Sequence, residues 1–135
     1  MKVVIDTNVL MSGIFFTGPP FEILQKWHQG KFEIVISPAI EEEYNRVAQR
    51  LNSNFPDIDI RSILEIIKNH SKSVNIFKKI SNVCSDPHND KFFECAFNSD
   101  CTLIISGDRH LLDASGFMNI RVLKPRDFLD KYFKM

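Results

Sequence analysis

Four carboxylates could together hold a hard divalent cation: three aspartates where a short apolar run ends or a helix begins, and one glutamate within a helix. Asp6 ends the run in "VVIDTNVL", Glu43 lies in "VISPAIEEEY", Asp90 in "DPHNDKFFECA" and Asp108 in "LIISGDRHLL". Acids that converge without a counter-ion repel one another, which raises each pKa and costs stability. Mg²⁺ or Mn²⁺ removes that conflict, because both prefer carboxylate oxygen and water and take only one or two carboxylates each. Plainer readings compete. Asp6, Asp86, Asp90 and Asp108 all occupy positions where an aspartate caps a helix or turn. Glu41, Glu42 and Glu43 could all lie on a solvated face. Two acids at two strand ends carry more weight than either does singly.

These residues need elements to position them. Continuous apolar runs at 2–5, 32–36, 102–105 and 120–123, with a weaker one at 73–77, read as strands buried on both faces. Helical patterns fall at about 20–29, 38–51, 58–70, 90–99, 109–114 and 126–133. Strands interleaved with helices predict βαβ units and a parallel sheet sandwiched by helices, in one domain over 1–135. Ligands of such sheets bind beyond the carboxyl ends of the strands, where strand order reverses. Gly107 is read as permitting a sharp turn before Asp108. Ser37 and Pro38 open the second helix as cap and first residue. Its stripe of Ile40, Tyr44, Val47, Ala48 and Leu51 puts Glu43 about 40° from Val47, while Glu42 points away. Asp90 lies four residues before Glu94, so the two can share one helix edge.

Composition narrows the function. The 17 Lys and Arg balance 17 Asp and Glu, which excludes a polycation that binds nucleic acid through its net field. Three cysteines at irregular spacing suggest reduced thiols in a cytosol-like compartment. The first apolar stretch is interrupted by Asp6, far short of a signal peptide or membrane span. A soluble, cytoplasmic protein is expected.

Taken in order and spacing, the four quoted strings resemble a PIN-domain nuclease over nearly the whole chain. The nearest resemblance is to short prokaryotic PIN proteins described as toxins of toxin–antitoxin pairs, relatives of the VapC-like toxins. It implies a three-layer α/β/α sandwich around a central, mainly parallel five-stranded sheet. It further implies a Mg²⁺- or Mn²⁺-dependent endoribonuclease that hydrolyses single-stranded RNA. Asp6, Glu43, Asp90 and Asp108 match the family's core acids, both catalytic and metal-binding; Asn8 and Ser106 match the polar residues that order them; Glu94 is a secondary candidate. One or two ions would sit on Asp6, Asp90 and Asp108, with Glu43 as ligand or water-orienting base. A homodimer and a cognate antitoxin are the partners so implied.

Rival readings fit less well. "IIS" and "VLKPRDFL" match Ser and Lys-Pro positions of a phosphorelay receiver, but Asp6 stands without an acidic neighbour, and Asp57 and Asp59 end no apolar strand. Haloacid-dehalogenase-like phosphatases need a second Asp where Asn8 stands. No glycine-rich phosphate loop occurs. Zinc at Cys84, His88, Cys95, Cys101 or His110 lacks any Cys-x-x-Cys pair. A non-catalytic RNA- or protein-binding module stays open. Three phenylalanines crowd "GIFFTGPPF", and Arg46, Arg50, Arg109, His110 and Arg126 could hold phosphates.

Overall fold

Val3, Val4, Ile5 and Ile34 to Ile36 have almost no exposed surface, as expected of strands covered on both faces. The computed structural model describes residues 1–134. Its strands are β1 (Lys2–Ile5), β2 (Glu33–Ile36), β3 (Lys72–Ser73), β4 (Leu103–Ile105) and β5 (Arg121–Leu123). They form one sheet in the order β3-β2-β1-β4-β5. Every pairing is parallel, as in Val3 with Ile34 and Ile5 with Ile105. The chain moves outward on one side of β1 and then returns to start the other half at β4. Strand order therefore reverses between β1 and β4, and the crevice for a ligand opens at their carboxyl ends.

Seven α-helices cover the sheet among the described residues: α1 (Thr7–Phe15), α2 (Pro19–His28), α3 (Pro38–Asn52), α4 (Ile60–His70), α5 (Asp90–Asn98), α6 (Arg109–Asp113) and α7 (Pro125–Tyr132). The result is a three-layer α/β fold with a wholly parallel sheet. Short 3-10 turns precede α5 and β5. Ser37 caps α3, its hydroxyl accepting from the Ile40 amide at 3.4 Å, and Asp59 caps α4 by accepting from Ser62.

Two elements differ from the sequence expectation. Helix α1 shows no amphipathic stripe because Thr7, Val9, Leu10, Met11, Gly13 and Phe15 bury nearly its whole circumference. Gly13 is required there, since a Cβ would come within 2.6 Å of Leu24 Cδ1 and 2.9 Å of the Pro20 carbonyl. The edge strand β3 covers only Lys72 and Ser73, after which the Val74 amide donates to the Ile36 carbonyl. Residues 75–77 then leave the sheet and run on as a loop against α5.

Candidate active site

Asp6 and Asp108 line one open depression of about 530 Å³, together with Asn8, Ser12, Gly107, Arg109 and Pro125. The backbone brings them there directly: the Asp6 amide donates to the Ile105 carbonyl, and the Ser106 amide to the Leu123 carbonyl. The ends of β1, β4 and β5 are thereby fixed side by side. Ser106, fully buried, donates its hydroxyl to Asp6 Oδ2 at 2.7 Å and accepts the Asp108 amide at 2.9 Å. One hydroxyl therefore sets both acids. Gly107 needs no glycine-specific backbone, for its φ is not positive; a Cβ there would meet no atom within 4 Å. The open rim, rather than a sharp turn, is what that position supplies.

The electrostatics of this pair are unresolved by protein charge. Burial, then Asp108 and Glu43, push the Asp6 carboxyl above its ordinary value, opposed by the Ser106 hydrogen bond and the nearby Asn8 amide. Asp6 makes no side-chain capping bond to α1. Asp108 does cap α6: its Oδ1 accepts from the His110 and Leu111 amides at 2.8 and 3.3 Å and from Asn89 Nδ2 at 3.4 Å. Its Oδ2 accepts nothing among the described residues. No Lys, Arg or His among them pairs with either carboxylate, and Arg109 turns outward to Asp113. Capping and site chemistry thus use different oxygens of the same side chain.

Glu43 reaches inward, as the helix phase predicts, while Glu42 is solvated and pairs with Arg46. Its two oxygens are engaged. Thr7 Oγ1 donates to Oε2, and the Lys91 ammonium pairs with Oε1, with Arg46 farther off at 3.9 Å. The neighbouring Tyr44 hydroxyl donates to the Ile5 carbonyl and ties α3 to the end of β1. Neither Thr7 nor Lys91 was singled out by sequence reasoning. Thr7 carried a signal, lying between Asp6 and Asn8 in the "DTN" string; Lys91 carried none, because its partner is 48 residues away.

Asp90 opens α5 and is buried, and both of its oxygens accept backbone amides, from Asn82 at 3.0 Å and Cys84 at 2.8 Å. Glu94 accepts from the Ile80 amide at 3.0 Å. Asn98 accepts from Phe77 and Lys78 and returns a bond to the Lys78 carbonyl. Residues at i, i+4 and i+8 of one helix edge thus pin the loop over 77–84 to α5. Asp90 and Glu94 share an edge, as their spacing predicts, but that edge faces the loop. Asp86 caps the following turn by accepting from the His88 amide. Among the described residues, no group of three or more His, Cys, Asp or Glu is gathered closely enough to hold an ion. Of the four candidate acids, Asp6 and Asp108 are the two that line the open depression and pair with no cation among the described residues.

Cysteine chemistry is absent from this end. Cys84, Cys95 and Cys101 are free and buried. Burial and the charges of Asp90, Asp108 and Asp86 push the Cys84 thiol up to about 12, which suppresses the thiolate that a nucleophile or zinc ligand needs.

A family model described as PIN domain matches residues 2–110. The chain belongs to the PIN domain family. It is also similar to an uncharacterized protein of Methanocaldococcus jannaschii, at 30% identity over 99% of this chain and 93% of that protein. PIN domains are generally nucleases, and the match spans Asp6, Glu43, Asp90 and Asp108. Nuclease activity therefore belongs to the family at the coarsest level. No helix among the described residues is long and apolar enough to cross a membrane.

Proposed function

We propose that this PIN-domain chain is a divalent-metal-dependent endoribonuclease acting on single-stranded RNA. The observation that supports this most is the pair Asp6 and Asp108, two carboxylates without a counter-cation on one open depression at the strand-order reversal. The donor chemistry fits a hard ion, since oxygen ligands from two carboxylates are what Mg²⁺ or Mn²⁺ ordinarily takes from protein, leaving the remaining positions to water and phosphate. Asp6 and Asp108 would hold it. Bound there, the ion would supply Lewis-acid charge and lower the pKa of a water to make the nucleophile. Ser106 keeps Asp6 and Asp108 in register, and Asp108 remains available through Oδ2 while Oδ1 anchors α6. The depression is open rather than enclosed, so it admits a strand that must pass through it. Asn8, Ser12 and Arg109 on its rim offer polar contacts for a phosphate backbone.

The test is cleavage of labelled single-stranded RNA and DNA with Mn²⁺ or with chelator. Wild type should cut RNA only with metal, and Asp6→Asn and Asp108→Asn should each lose roughly 10²-fold or more in rate. Chelator-resistant cutting sinks the reading. A second reading, a module that binds RNA without cleaving it, is favoured by the engagement of Glu43 and Asp90 with protein partners. RNA binding that persists with no cleavage under any metal would establish it. The toxin role belongs to the same proposal: induced wild type should arrest growth of its host and Asp6→Asn should not.

A further inference from the structure

Lys91 follows Asp90 in α5 and crosses to α3, where its ammonium pairs with Glu43 Oε1. Both side chains are mostly withdrawn from water, at 18% and 15% exposure. Withdrawing a lysine costs desolvation unless a charge meets it, so this pair is not an incidental surface contact. Thr7 fills the other Glu43 oxygen, which leaves the glutamate fixed between three elements. The acidic end of the sheet is thereby divided in two. One half, Glu43, has a cation built from the chain; the other half, Asp6 and Asp108, has none.

We propose that Lys91 is a positioning residue that supplies the second positive charge of this centre, so that it takes a single divalent cation, on Asp6 and Asp108, while Glu43 is held out of coordination. The inference rests on the reading of that pair as a metal centre. Two-ion nuclease sites clamp the attacking and leaving oxygens with two cations. Here the Lys91 ammonium on α5 would supply positive charge on the Glu43 side in place of a second ion, and Glu43 would hold it there.

The test is calorimetric titration of the metal-free full chain with Mn²⁺, with free Mn²⁺ followed in parallel by its paramagnetic resonance signal. Wild type should bind one equivalent. Lys91→Met frees Glu43 and should admit a second equivalent, or tighten Mn²⁺ binding on the order of tenfold through loss of a competing charge. Lys91→Arg should restore wild-type behaviour. Glu43→Gln, which guards against misfolding of the methionine variant, should keep the single equivalent within a few-fold of wild-type affinity. Two equivalents in wild type, an unchanged titration in Lys91→Met, or loss of the ion in Glu43→Gln would each overturn the proposal while leaving a metal nuclease intact. No binding in wild type would overturn the metal centre itself, and this inference with it.

Discussion

At the scale of single residues, charge left without a partner is what marks the site. Asp6 is buried beside Asp108 and Glu43, and its folded carboxyl holds its proton more tightly than a carboxyl in the unfolded chain. The native state therefore binds more protons than the unfolded state in the window just above the ordinary value of 3.8. Stability contributed by that proton is present at lower pH and is lost as pH rises through the folded value. In chelator, wild type should lose unfolding free energy across that window relative to Asp6→Asn, whose neutral amide has nothing to lose. Urea melts at a series of pH values measure this. Parallel pH profiles for the two proteins would show that Asp6 carries no such strain. Ser106 belongs to the same account, because its hydroxyl partly offsets the burden by donating to Asp6.

At the scale of elements, α5 acts as a rail. Asp90, Glu94 and Asn98 accept amides from one loop at helical spacing, so the segment after β3 is held although it forms no strand beyond Ser73. This loop carries Phe77, which is 88% exposed, and it is held by these hydrogen bonds together with the buried side chains of Val74, Ile80 and Cys84. Asn98→Ala should cost about 1 kcal/mol, the ordinary net worth of such bonds. It should also speed amide exchange at Phe77 and Lys78 while leaving the Asn82 and Cys84 amides protected by Asp90. Hydrogen exchange read residue by residue checks it; uniform acceleration along the loop would mean that the three anchors act as one unit.

At the scale of the whole molecule, a formal charge of zero conceals unlike regions. Arg46, Arg109, Lys68 and Lys91 neutralise acids locally, yet none pairs with Asp6 or Asp108. A cation that binds only the native state should raise stability by about 2.7 kcal/mol at a hundred times its dissociation constant. Melting of wild type should therefore shift upward with Mn²⁺ and hardly at all with monovalent salt of equal ionic strength. Asp6→Asn and Asp108→Asn should abolish the shift, since each removes half of the ligand pair.

The sequence by itself determined that β-branched runs alternate with helices, that acids end β1 and precede α6, and that Glu43 lies on the inner border of α3. Those features follow from local periodicity and hydrophobic burial, which act over a few residues. Helix α1 escaped that logic because burial on nearly every side erases its period. The spacing of Asp90 and Glu94 was visible, but neither Asn98 as a third anchor nor the loop that this edge faces. Only the tertiary structure decided which acids remain free. Asp90 is satisfied by amides six and eight residues away and Glu43 by a lysine 48 residues away, whereas Asp6 meets only a neutral serine 100 residues away, which positions it without cancelling its charge. The distant partners, Lys91 and Ser106, meet their acids only after the sheet has assembled, because a carboxylate's partner can lie at any sequence separation and its periodicity reveals nothing of it.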